Sequence, residues 1–334
     1  MNNENAASTL LSTKDRQAID AAKLYYKNHY SQQQVADMLG ISRPSVSKLL
    51  QHATEQGFVV ITINDPQDTF GQLAEELKEF YQLKSVGICS TPINHDPAQL
   101  RHALGSLGAK LLEKLVSNHD VVGVEWGRTI YAMSQHLTPQ LRDGVEVVQL
   151  RGSETKASQG LNESETINQI AQSFNGKGQL LPLPIVFEDI KTKNLIQRET
   201  TIWRVLENIK KSRIVVFTVG AVDEDSLLFQ SGFYTQDEVH YLQNRAVGSI
   251  CAHFVDKNGR ICLPDLNNRT VGIGLPELRQ KEERVLIAGG QSKTLITHVA
   301  LKHGYANRLI TDKVTAMLLL DLIKQEKQGN TINT

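Results

Sequence analysis

The sequence predicts an α/β protein in two parts, a small winged helix-turn-helix domain at residues 12–64 and a larger doubly wound α/β domain at residues 68–326. Three observations lead there. Residues 30–50 carry the start, turn and restart of two short helices. Beyond residue 84, short β-branched runs alternate with longer helical periods. Three of those runs end in glycine-bearing turns that also hold Arg, Lys, Ser or Thr. A length of 334 residues suits two domains better than one.

Residues 14–28 read as a first helix that gives Ile19, Ala22, Leu24, Tyr25 and Tyr26 to a small core. Ser31 and Gln34 then form an S-x-x-Q capping box, in which each side chain satisfies a backbone N–H at a helix start. Val35, Ala36 and Leu39 give the second helix one apolar face. Gly40 follows it, where a left-handed residue is cheap only for glycine. Ser42 caps a third helix and Pro44 fits its first turn, where no N–H is needed. Val46, Leu49 and Leu50 face inward, which leaves Arg43, Ser45, Ser47, Lys48 and Gln51 outward. Gly57 ends this helix, and 58–63 reads as a β-rich run suited to a wing. Ser31, Gln32, Arg43, Ser45, Ser47 and Lys48 form the candidate DNA-binding set, because such side chains reach phosphates and base edges. The plain alternative is an ordinary helical hairpin with a solvated outer face.

Lysine and arginine number 36, as do aspartate and glutamate, so no global field favours nucleic acid or membrane. The local charge is only weakly basic, so one copy should bind DNA weakly and a homo-oligomer, dimer or tetramer, is expected on a repeated operator. Cys89, Cys251 and Cys262 are scattered and form no CxxC, which suits reduced cytoplasmic thiols rather than a disulfide framework or a zinc site. No apolar run approaches the ~18–20 residues that span a bilayer. The first dozen residues and 328–334 read as loose tails, and 65–68 as a linker.

In the large domain, strands are expected at 85–89, 121–125, 145–150, 214–220, 284–288 and 308–311. Helices are expected at 97–117, 129–136, 164–174, 193–211, 235–245, 293–302 and 313–324, after an amphipathic helix bearing Phe70, Leu73, Leu77 and Phe80. Such alternation implies a parallel sheet covered on both faces. Ligands in such sheets sit outside the carboxyl ends of the strands. Three junctions carry suitable residues: Glu125-Trp126-Gly127-Arg128-Thr129; Leu150-Arg151-Gly152-Ser153 with Lys156 beyond; and Ala288-Gly289-Gly290-Gln291-Ser292-Lys293. Each alone is as well explained by a tight turn. Together they favour a small phosphorylated ligand. The third junction lacks the spaced upstream glycine of a P-loop, which argues against a nucleoside triphosphatase. No GxGxxG, HExxH or GxSxG is present, so no cofactor or metal is expected. Asp223-Glu224-Asp225 reads as a solvated loop before it reads as acid/base machinery.

The stretches AAKLYY…YSQQQVADMLGISRPSVSKLL, VVGVEWGRTIY, GVEVVQLRG, LLPLPIVF, FTVGAV, AVGSICAHFVDKNG, NNRTVGIGL, VLIAGGQSK and ANRLITDKVTA resemble the SorC family of bacterial transcription regulators, and within it the Bacillus-type deoxyribonucleoside regulators. The resemblance implies an effector domain related to sugar-phosphate isomerases without their catalysis, and a sugar-phosphate inducer such as deoxyribose-5-phosphate. By position it implies Gly127, Thr129, Gly289, Gly290 and Lys293 around the phosphate, with Arg128 in the same turn. Gln149, Arg151, Gly152 and Asp312 are implied nearer the sugar. In the deoxyribose-phosphate-responsive members the residue after VVQL is a lysine that forms a Schiff base; here it is Arg151. A guanidinium stays protonated, so non-covalent binding is expected, with a Lys156 adduct or a different sugar phosphate as alternatives. The overall expectation is a repressor of a sugar or deoxyribonucleoside operon. An activator, or an isomerase- or deaminase-like enzyme with an appended DNA module, are the rivals.

Overall fold

The computed structural model describes residues 12–59, 70–94, 96–153, 163–222, 229 and 232–331. The expected linker, the wing beyond Val59, Lys156 and Asp223-Glu224-Asp225 lie outside the described residues. The chain divides into two compact units after Asp68.

In the N-terminal unit, helix Thr13–Ala22 opens on a capping box between Ser12 and Asp15 and continues as wider π-helical turns through Lys23–Lys27. Helix Gln32–Leu39 opens on the Ser31–Gln34 capping box and ends at Gly40, left-handed at φ 65°. Helix Arg43–Glu55 is capped by Ser42, with Pro44 in its first turn. Ala18, Ala21, Val35, Ala36, Val46, Leu49 and Ala53 close the core. Of the residues expected to face this core, Ala22 is buried and Leu24 and Tyr25 pack against it, whereas Ile19 is half-buried and Tyr26 exposed, and Ala18 and Ala21 fill the centre. Alanines let the first and third helices approach closely, and His52 Nε2 meets Asp15 Oδ1 at 2.7 Å between them. Phe58 and Val59 are not in a strand.

The C-terminal unit holds β1 (Ser85–Cys89), β2 (Val121–Val124), β3 (Glu146–Gln149), β4 (Lys177–Gln179), β5 (Ile214–Phe217), β6 (Val219–Gly220), β7 (Gly248–Ile250), β8 (His253–Val255), β9 (Glu283–Ile287) and β10 (Arg308–Asp312). Seven of these form one parallel sheet in the order β1-β10-β9-β5-β2-β3-β4, and β6-β7-β8 form a separate antiparallel sheet. Ile214 and Val216 enter one apolar core, and Val215 and Phe217 the other. A strand buried on both faces reads as an unbroken apolar run, which is why it was legible.

Four expectations change. The run 214–220 is split at Thr218, whose N–H leaves the sheet for Glu125 Oε2 at 2.9 Å. The helix expected at 193–211 is two helices, Ile190–Ile196 and Thr200–Lys211, separated where Arg198 and Glu199 bond only three residues back and Glu199 turns extended. The last helix, Lys313–Thr331, runs past 324 and takes in the start of the expected tail. The strand β4, the antiparallel sheet and the short helices Pro264–Arg269 and Leu275–Gln280 were not anticipated. The strand order places β3 and β4 on one side of β2 and β5, β9 and β10 on the other. The sheet therefore changes winding direction between β2 and β5, and a crevice opens there beyond the carboxyl ends.

Candidate functional site

A cavity of about 580 Å³ occupies that crevice, within the ~300–1,000 Å³ common for small-molecule sites. Its lining comes from the turns after β1, β2, β3, β5, β9 and β10, from Ser249 in β7 and from helix Pro97–Leu115. Arg101, Arg128, Arg151 and Lys293 face it as cations, and Glu125 and Asp312 as carboxylates.

The floor is a buried ion pair. Arg151 Nε donates to Glu125 Oε1 at 3.0 Å, with each side chain only 6 % exposed. The Arg151 guanidinium carbon lies 3.7 Å from the centre of the Trp126 ring. Glu125 Oε2 accepts the Thr218 N–H, so one carboxylate joins the turns after β2, β3 and β5. Burial pushes the Glu125 carboxyl up, against Arg151, the Thr218 N–H and Lys293, which pull it down. Arg151 Nη1 is buried and has no hydrogen-bond partner among the described residues. A buried unsatisfied donor is costly, and this one belongs to a residue that lines the cavity. Cys251 is buried close by. Burial, then Glu125, hold its thiol well above the usual range, so it stays neutral.

Asp312 braces the opposite side. Its carboxylate accepts from Thr91 Oγ1 (2.6 Å), Thr315 Oγ1 (2.5 Å) and the N–H groups of Gly290, Val314 and Thr315. Burial alone would raise this carboxyl, but the bonds from Thr315, Thr91 and Gly290 carry it below the usual range. Asp312 thereby fixes the Gly289–Gly290 turn. Lys293 follows in the single 3₁₀ turn Gln291–Lys293, and its Nζ is 3.5 Å from Thr218 Oγ1.

Of the residues expected around an effector, Gly127, Arg128, Thr129, Arg151, Gly289, Gly290, Lys293 and Asp312 come together in the lining. Gln149 and Gly152 are not in the lining but stand directly behind Arg151. Gln149 Nε2 donates to the Arg151 carbonyl and Ser153 Oγ, while its Oε1 accepts the Leu181 N–H. Gly152 is wedged where an added Cβ would lie 2.5 Å from the Pro184 carbonyl oxygen. Arg101, Thr218 and Ser249 also line the cavity, outside the expected set, as do Glu125 and Trp126 of the turn after β2. Nothing local marks Arg101 or Thr218. Glu125 carried one signal, a carboxylate ending a wholly apolar strand.

On the third helix of the N-terminal unit, Arg43, Ser47 and Lys48 are exposed. Ser45 is half-buried, its hydroxyl 2.8 Å from Ser42 Oγ. The Ser31 hydroxyl is held in the capping box, and Gln32 is half-buried. Among the described residues no helix is long and apolar enough to cross a membrane, and no group of three His, Cys, Asp or Glu is placed to hold a metal.

A doubly wound sheet with a cationic cavity at its switch point defines a small-molecule-binding domain, here following a three-helix unit. Residues 65–321 match the family described as "Putative sugar-binding domain". The chain is 41% identical to the deoxyribonucleoside regulator of Bacillus subtilis over 92% of its own length and 98% of that protein's. It is 28% identical to the sorbitol operon regulator of Klebsiella pneumoniae over 91% of its own length and 98% of that protein's. The crystal structure of full-length SorC from Klebsiella pneumoniae superposes with a TM-score of 0.76 at 27% identity, covering 92% of this chain and 99% of that one. The chain belongs to the SorC family of transcription regulators with a sugar-binding domain. These relatives are regulators, not enzymes, and the rival expectation of an isomerase or deaminase falls on that ground.

Proposed function

We propose that this protein is a repressor of a sugar or deoxyribonucleoside catabolic operon, released from its operator by a phosphorylated sugar such as deoxyribose-5-phosphate. The observation that carries this reading is the cavity: four cations and two carboxylates line it, an excess of two positive charges. A phosphate monoester carries about −1.5 to −2 at neutral pH, so one such group balances the excess. Lys293 and the turns at Gly127–Thr129 and Gly289–Gly290 receive the phosphate. The orphaned Arg151 Nη1 takes a sugar oxygen. The third helix of the N-terminal unit reads the operator through Arg43, Ser47 and Lys48, in a homo-oligomer. Control needs only a difference in effector affinity between the DNA-competent and incompetent states, typically ~1–3 kcal/mol.

A thermal-shift series tests the effector, since a ligand of the folded state raises the melting temperature with its concentration over Kd. Phosphorylated pentoses and hexoses should stabilise the protein far more than the free sugars. In Lys293→Ala, affinity for the phosphorylated members should drop by about 10-fold or more, with little change for the free sugars. Equal losses on both sets would remove Lys293 from the phosphate site. Binding is non-covalent in this reading, because Arg151 has no amine to offer. Borohydride reduction with deoxyribose-5-phosphate should therefore leave the intact mass unchanged, and an adduct mapped to Lys156 would overturn this part.

A further inference from the structure

Arg101 was not marked by the sequence, and its surroundings set it apart from the other cavity cations. Helices Pro97–Leu115 and Arg128–Ser134 touch backbone to backbone: a Cβ added at Gly105 would lie 2.7 Å from the Ala132 carbonyl carbon. A Cβ at Gly108 would lie 3.3 Å from Met133 Cγ, and beyond that contact Glu113 accepts the Thr138 N–H at 2.7 Å. The pairings 105/132, 108/133 and 113/138 rise together, so the two segments run in the same direction. Arg101 and Arg128 each stand four residues before the Gly105–Ala132 contact, one turn back on the facing sides. Both line the cavity, from two facing helices.

Among the described residues neither guanidinium has a hydrogen bond or ion pair within the chain. The two cavity carboxylates are committed elsewhere, Glu125 to Arg151 and Thr218, Asp312 to its five donors. Burial, then the charge of Arg128, disfavour the Arg101 cation, and Asp96 offsets them in part. Asp96 is itself the cap of its helix, accepting the Ala98 N–H at 2.8 Å. Two like charges are thus held together by a rigid helix contact, with little in the protein to neutralise them. Arg128 is exposed and Arg101 half-buried, so water screens part of this repulsion; an anion held between the two removes the rest, and a planar guanidinium suits phosphate oxygens in particular.

We propose that Arg101 and Arg128 form a two-arginine grip in the cavity wall that holds the phosphate of the effector and selects a doubly charged oxyanion. This deepens the proposed function and depends on the ligand's being phosphorylated. Lys293 then approaches the same phosphate from the Thr218 side, and the sugar is directed inward to Arg151. A singly charged ligand, such as a sugar carboxylate, leaves one guanidinium unanswered and is disfavoured.

The test uses the full chain as wild type, Arg101→Gln, Arg128→Gln and the double variant, with Arg101→Lys as the conservative control. Without ligand, each single variant should melt no lower than wild type, because it removes a repulsion. The double variant should add nothing further, since that repulsion can be removed only once. With inorganic phosphate, deoxyribose-5-phosphate, ribose-5-phosphate and glucose-6-phosphate as probes, each Gln variant should bind about 10- to 100-fold more weakly. Free deoxyribose and gluconate should be unaffected, and Arg101→Lys should recover part of the loss. A lower melting temperature for unliganded Arg101→Gln would make Arg101 a structural residue and overturn the grip. Unchanged phosphosugar binding in both Gln variants would overturn the grip while leaving the effector reading intact. If wild type itself gains nothing from any phosphorylated probe, the grip and the effector reading fall together.

Discussion

Glu125→Ala should destabilise the C-terminal unit by about 3–5 kcal/mol, the usual effect of removing one partner from a buried ion pair. Arg151 would keep its charge at 5 % exposure with no carboxylate opposite, and the Thr218 N–H would lose its acceptor. For a unit of this size the melting temperature should fall by about 6–20 °C, read by calorimetry on the full chain. The asymmetry of buried pairs gives a sharper version. Breaking the pair is costly, whereas replacing both partners with apolar groups of similar volume is often neutral. Glu125→Leu combined with Arg151→Met should therefore recover most of the lost stability while abolishing stabilisation by phosphorylated sugars. A single variant that melts like wild type would mean the pair is not closed in solution, and Arg151 would lose its place on the cavity floor.

Arg43→Ala with Lys48→Ala should remove specific DNA binding, by about 100-fold or more, and leave effector-induced stabilisation unchanged. Both side chains are exposed on the third helix, away from the core formed by Val46, Leu49 and Leu50. Their loss leaves the fold's apolar contacts in place. Charge-assisted contacts to phosphates and bases are worth about 1.5–3 kcal/mol each, and an oligomer forfeits them in every copy. The check is a mobility-shift titration at fixed salt, on duplexes that the wild-type protein selects from a random pool. The slope of log affinity against log salt should also become shallower, because fewer counterions are released. Undiminished binding by the double variant would show that another face meets the DNA.

These two predictions differ in how much of their basis could be read from the chain. The Ser31–Gln34 capping box, the left-handed Gly40 and the Ser42–Pro44 start appear in the structure as read. The inward face of the first helix is legible only in part: Ala22, Leu24 and Tyr25 meet the core, but Tyr26 is exposed and the small side chains of Ala18 and Ala21, which carry no strong apolar signal, fill the centre. In the large unit, the parallel sheet and the turns at Gly127, Arg151 and Gly289 followed from the alternation of runs. The Glu125–Arg151 pair did not follow. Each residue was visible in its own turn, but their meeting depends on β2 lying beside β3, and the Thr218 link depends on β5 flanking β2 on the other side.

The sequence by itself determined what acts over a few residues: helix starts and stops, the period of each segment, and the placing of glycine, cationic and hydroxyl side chains at strand ends. Those features are governed by capping, backbone sterics and burial of one stripe or both faces. Only the tertiary structure decided the strand order, and with it which turns share a cavity. It alone brought Arg101 to the same cavity as Arg128, took Thr218 out of its strand, and placed Gln149 and Gly152 behind the lining. The physical reason is distance along the chain. Glu125 and Thr218 are 93 residues apart and Asp312 and Thr91 are 221 apart, and no periodicity or propensity carries a signal across such separations.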